Sequence, residues 1–129
     1  MIYVDSSVAL AQLLFETRAP PAWLWREPLV SSRLFEYELW NRLQAYQLTG
    51  VRGDDVRAML ALVDMLEMTG SVLARALEPF PIAVRTLDGL HLATMDYMRR
   101  HAGDDLELAS YDGRMQAAAR ALGIKIAAV

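Results

Sequence analysis

Apolar and polar positions alternate between two rhythms along this chain. Ile2-Tyr3-Val4 is a short β-prone run that stops at an acid, Asp5, and two hydroxyl residues follow. A buried strand that delivers a carboxylate at its C-terminal end and passes into a helix has this look. Ser6 or Ser7 can cap that helix, which runs through Val8, Leu10, Leu13 and Leu14 to about Glu16. Pro20-Pro21 stops it, and Pro21 suits the first turn of a short helix at 22–25. Residues 29–31 read as a second strand, with Ser31 or Ser32 capping a helix from about Arg33 to Leu48 and Gly50 as its stop. The next helix is expected from 53–55 to about Met68, because Val56, Met59, Leu60, Val63 and Leu66 fall at helical spacing. Residues 71–77 fit a strand or a short helix, and Pro79 and Pro81 end them. A long helix from Leu87 to His101, a strand at 106–110, an alanine-rich helix at 113–122 stopped by Gly123, and a last strand at 124–126 complete the pattern. Strands alternating with helices predict an α/β fold, a mostly parallel central sheet flanked by helices.

The 129 residues suffice for one domain, 1–129, and no linker, repeat or low-complexity segment divides them. With 54% hydrophobic and 22% charged residues the chain is globular rather than disordered. It has no cysteine, which excludes disulfides and thiolate metal sites and fits a reducing compartment. The N-terminus lacks the basic start of a secretory signal, and apolar stretches fall short of a membrane span, so the expected setting is cytoplasmic with no membrane partner. A net charge of −3 argues mildly against nucleic acid as a partner. Of the 13 basic residues, however, only Lys125 is lysine. Arginine suits bidentate recognition of phosphate, and it also follows from GC-rich coding.

Four acids stand where one edge of a parallel sheet would gather them. Asp5 and Asp112 each follow a strand, while Glu38 and Asp88 lie early in helices. Strand C-termini and helix N-termini share that edge. Four bare carboxylates in one pocket raise one another's pKa, and a hard divalent cation such as Mg²⁺ or Mn²⁺ resolves the conflict. Phosphodiester hydrolysis is the chemistry such a site suggests. Blander readings stand beside it. Asp88 and Asp112 also fit helix N-caps, and Glu38 a solvated helix position. Asp5 is harder to dismiss, because an acid ending an apolar strand needs a partner.

On these residues the chain resembles the PIN-domain ribonucleases, most closely the VapC-type toxins of prokaryotic toxin–antitoxin pairs. MIYVDSSVAL resembles the family's first-strand motif and puts its first acid on Asp5; SSRLFEYELWNRL puts the second on Glu38. RTLDGLHLAT, the most diagnostic match, puts the third on Asp88, and LASYDGRMQAAARALGIKI puts the fourth on Asp112. Ser110 fills the usual hydroxyl position before the last acid, and Ser6 is similar to the hydroxyl beside the first. The resemblance implies a PIN-like domain and a Mg²⁺- or Mn²⁺-dependent endoribonuclease acting on RNA. It also implies a homodimer and a small antitoxin that blocks the site. Glu36 competes with Glu38 as the second acid, but the two point about 200° apart on a helix. Leu34 and Glu38 share a stripe, which favours Glu38. The alternatives are a housekeeping RNA-processing PIN nuclease without an antitoxin, and a PIN domain that binds RNA or protein without cutting.

Other residues carry weaker expectations. His91 belongs to the third motif and suits packing or hydrogen bonding behind the acids. Asp96, two turns past Asp88, reads as a surface group or an outer contact of the site. Arg85 and Arg114 flank two of the acids, to hold RNA phosphate or to pair with carboxylates, whereas Arg33 and Arg42 read as solvated. Trp23 or Trp25 is expected at an interface, Trp40 in packing, and the seven methionines as core filler.

Overall fold

A computed structural model describes residues 1–103 and 105–129. Five strands form one sheet: β1 (Ile2–Val4), β2 (Leu29–Ser32), β3 (Val63–Leu66), β4 (Glu107–Ala109) and β5 (Lys125–Ile126). Their order is β3-β2-β1-β4-β5, and every pairing is parallel. Among the described residues, six α-helices surround it: α1 (Ser6–Leu13), α2 (Arg33–Ala45), α3 (Thr49–Leu60), α4 (Gly70–Ala76), α5 (Thr86–Ala102) and α6 (Gly113–Ala121). A 3₁₀ segment covers Ala22–Arg26. The expected α/β architecture is present, with a sheet that is wholly parallel.

β1 is the centre of the sheet, and its alternation divides the core. Ile2 and Val4 face a cluster with Val8, Phe35, Leu39 and Val56 from α1, α2 and α3. Tyr3 faces the opposite cluster, with Leu92 and Met95 of α5 and Met115 of α6. Side chains two apart on a strand share a face, so one residue of shift would exchange the two cores. The chain therefore covers one face before β3 and the other after it. The change of direction falls between β1 and β4, where α/β sheets open a crevice at the strands' C-terminal ends.

Two sequence expectations are corrected in the middle of the chain. The helix expected to reach Met68 stops at Leu60, and Val63–Leu66 is the edge strand β3. Val63 and Leu66 suit either period, and four paired positions with β2, from Leu29↔Val63 to Ser32↔Leu66, decide for the strand. Gly50 does not stop α2 but lies inside α3; α2 ends at Ala45, and Gln47 takes a positive φ of 56°. The ambiguous 71–77 stretch is helix α4, its N-terminus capped by Thr69. Gly123 does end its helix, at φ 82°, a conformation that costs glycine little. Among the described residues no helix is long and apolar enough to cross a membrane.

Candidate active site

β1 ends directly beneath the crevice, and Asp5 takes the N-cap position of α1 without capping it. Its carboxylate turns to hydroxyls instead: Ser7 Oγ donates to Oδ2 at 2.6 Å and Ser110 Oγ donates to the same oxygen at 2.8 Å. Oδ1 accepts no hydrogen bond from any described residue, although Asp5 is only 6% exposed. Burial raises the Asp5 pKa above the ordinary aspartate value; the serine hydrogen bonds and His91 oppose that shift, and Glu38 adds to it.

Ser110 joins two acids. Besides donating to Asp5, its hydroxyl accepts from the Asp112 backbone N–H at 3.0 Å. Asp112 does cap its helix: Oδ1 accepts from the N–H groups of Arg114 at 2.9 Å and Met115 at 3.4 Å. Its Oδ2 accepts from Arg85 at 3.3 Å. The same guanidinium donates to Asp88 Oδ2 at 3.2 Å, from the first turn of α5. Asp88 is thus a first-turn residue, not an N-cap; Arg85 holds that place.

Glu38 is held from two sides. Ser6 Oγ donates to Oε2 at 2.9 Å, and His91 Nε2 bonds to Oε1. Behind the imidazole, the Tyr3 hydroxyl meets His91 Nδ1 at 2.7 Å and accepts from the Ser32 N–H at 3.2 Å. His91 is 1% exposed. Burial alone would lower its pKa, but the hydrogen bond and charge of Glu38, with Asp5 and Asp88, outweigh burial and raise it. Burial drives the Tyr3 hydroxyl far upward, so it stays protonated. Glu36 lies elsewhere, paired with Arg33 at 2.9 Å on the surface.

Asp5, Glu38, Asp88 and Asp112 all line one cavity of about 520 Å³, together with Arg85 and Arg42. They ring it rather than converge: among the described residues no group of three acids or histidines stands close enough to hold a metal ion. The cause is visible in the partners. Arg85 draws Asp88 and Asp112 to itself, and Ser6 and His91 hold Glu38. The donor set is nonetheless all oxygen, with Asp5 Oδ1 free, and hard divalent cations take such sets.

Some residues are placed where the sequence reading did not put them. Arg42 lines the cavity instead of being merely solvated. Asp96 is neither a surface group nor an outer contact of the cavity: it is 3% exposed and bonded to Arg75 at 2.6 Å, with Arg99 and Arg100 each at 3.1 Å. Arg114 lines a neighbouring cavity of about 440 Å³ with Arg85 and Asp88. Ser7 and Tyr3 were missed. Their signals were a second hydroxyl after the first acid and one polar aromatic in an aliphatic strand. Trp25 lines a separate cavity of about 480 Å³ with Phe15 and Met59, Trp23 is exposed, and Trp40 lies under Arg57.

Known proteins resemble this chain over nearly its whole length. The PIN-domain model covers residues 2–121. Ribonuclease VapC46 of Mycobacterium tuberculosis is 37% identical over 98% of this chain and 96% of its own length. Ribonuclease VapC35 of the same species is 31% identical over 99% and 96%, respectively. A solved toxin–antitoxin complex from Klebsiella pneumoniae shares the fold, with a TM-score of 0.62 at 15% identity and 94% of each chain covered. The chain belongs to the PIN-domain family, and within it to the VapC-type ribonucleases.

Proposed function

We propose that this protein is a divalent-metal-dependent endoribonuclease toxin that hydrolyses RNA phosphodiester bonds and is neutralised by a cognate antitoxin. The observation that carries the reading is the meeting of Asp5, Glu38, Asp88 and Asp112, from four separate stretches of sequence, on one cavity at the sheet's C-terminal edge. The names of the VapC relatives support ribonuclease activity, and the toxin–antitoxin complex with the same fold supports an antitoxin partner. The antitoxin blocks access to the cavity, and the active unit is a homodimer in the cytoplasm.

Asp5, Asp88, Asp112 and Glu38 would hold a Mg²⁺ or Mn²⁺ ion. When bound, such an ion offsets the carboxylate charge, polarises the phosphate and makes water more acidic. The chain's own groups do the rest. Ser7 and Ser110 fix Oδ2 of Asp5 and leave Oδ1 to the cavity. Ser6 and His91 fix Glu38, so its position does not depend on a long side chain finding its own rotamer. Arg85 and Arg114, with Arg42 across the cavity, offer guanidinium groups to RNA phosphate.

The test is cleavage of a structured RNA pool by purified protein with Mg²⁺, with Mn²⁺ and with chelator, beside Asp5→Asn. Metal-dependent cutting that the variant loses is the expected result; equal cutting by the variant overturns the site assignment. Metal should also raise the melting temperature of the parent, by the equivalent of about 2.7 kcal/mol at a hundredfold excess over Kd. Asp5→Asn should show little of that shift.

A further inference from the structure

Among the described residues, Arg85 is the cation bonded to two of the cavity's acids. Its Nε donates to Asp88 Oδ2 at 3.2 Å and its Nη2 to Asp112 Oδ2 at 3.3 Å. The two acids come from different helices, so the guanidinium bridges α5 to α6 across the mouth of the cavity. Its side chain is 62% exposed, and those of Asp88 and Asp112 are 18% and 30% exposed. Exposed pairs of this kind contribute little to stability. The bridge is therefore easily opened.

We propose that Arg85 is a resident counter-cation of the metal-free site, competing with the divalent ion for Asp88 and Asp112. This rests on the metal-dependent reading above and goes beyond it: loading the site requires the guanidinium to let go of the carboxylates. Acids gathered around one cavity favour a nearby positive charge, and the bridge supplies it to Asp88 and Asp112 while no ion is bound. Asp5 keeps a free oxygen, so the ion has a first foothold that Arg85 does not block. Once displaced, Arg85 is not lost to the site. It also lines the adjoining cavity with Arg114. Arg85 is in this sense a positioning residue that sets how much metal the site demands.

The experiment is calorimetric titration of Mn²⁺ into chelator-treated protein: the parent, Arg85→Gln, Arg85→Lys, Asp5→Asn, and Arg120→Gln as a control that loses the same charge from the exposed end of α6. Arg85→Gln should bind Mn²⁺ about three- to tenfold more tightly, the scale of two exposed ion pairs no longer opposing it. Lysine has no planar fork to span both acids, so Arg85→Lys should fall between. Arg120→Gln should match the parent. Arg85→Gln should also melt at a lower temperature without metal and gain more on adding it. Binding by Arg85→Gln that is unchanged, weaker, or matched by Arg120→Gln overturns the proposal. If Arg85→Gln does not fold, tighter binding by Arg85→Lys supports the proposal and equal or weaker binding overturns it. A parent that binds no Mn²⁺ through Asp5 overturns the metal-dependent reading and this inference with it. Asp5-dependent binding that ignores Arg85 overturns this inference alone.

Discussion

α5 carries two aspartates two turns apart, and they lead opposite lives. Asp96 is buried beneath Arg75, Arg99 and Arg100, which take both of its oxygens. Burial alone would raise its pKa, yet the hydrogen bonds from Arg75 and Arg99 and the charge of Arg100 outweigh burial and hold it below the ordinary value. Asp88 faces the cavity with one exposed arginine for a partner, near Asp5, whose pKa burial raises. At the Asp96 end, charge is matched inside the fold. At the Asp88 end, four carboxylates share a cavity with two guanidiniums, and the one bonded to Asp88 and Asp112 is largely exposed. A saturated buried acid stabilises architecture, here by tying α4 to α5. A buried acid left with an open oxygen on a cavity wall is available for chemistry, at a cost in stability.

The sharpest way to break this comparison is at Asp5. Asp5→Asn should lower RNA cleavage by roughly a thousandfold or more, the scale of the several kcal/mol a metal ion contributes. The same change should raise the melting temperature of the metal-free protein, because a neutral amide escapes the burial that disfavours the carboxylate. A variant that lost both activity and stability would place Asp5 with Asp96 as a structural acid. The converse change is Asp96→Asn. It strands the buried Arg75 guanidinium and should lower unfolding free energy by about 3 kcal/mol in a urea titration. Its Mn²⁺ affinity should stay that of the parent.

The pH dependence of that loss follows from the direction of the shift. The folded-state pKa of Asp96 is depressed, so its stabilisation is complete above the unfolded value, about 3.9. It fades as pH falls from there through the folded value. The stability gap between parent and Asp96→Asn should therefore be flat from pH 7 to about 4.5 and shrink below about 3.9. A gap that shrank between pH 7 and 5 would exclude Asp96 as its source. The smallest effect belongs to Tyr3→Phe. Losing the hydroxyl between His91 and the Ser32 N–H should cost about 1 kcal/mol by urea denaturation. If Tyr3 and His91 help to hold Glu38, this variant should also raise the metal concentration needed for half-maximal cleavage.

Much of this was legible from the chain. The alternation of short apolar runs with helical periods gave β1, β2, β4 and β5 within a residue or two, and the stop at Gly123. Acids placed after strands or early in helices indicated one edge, and the four acids do share a cavity there. β3 was not legible, since its apolar spacing fits a helix as well and only pairing with β2 makes it a strand. That Asp96, unlike Asp88, is a buried acid saturated by arginines was not legible either. Both are helix aspartates two turns apart, and only the packing of α4 against α5 brings Arg75 to one of them.

The sequence by itself determined the α/β class, most of the order of elements and the family, and it named four acids that line one cavity. Local period, turn residues and motif spacing are properties of neighbours along the chain. The tertiary structure alone decided the partners: Ser7 rather than Ser6 on Asp5, His91 and Tyr3 behind Glu38, Arg85 reaching Asp112, and Arg75 on Asp96. Those contacts join residues far apart in sequence or choose among equivalent neighbours. For the buried ones, the penalty on an unpartnered polar group selects the contact, and that penalty exists only once the sheet and helices have closed around it.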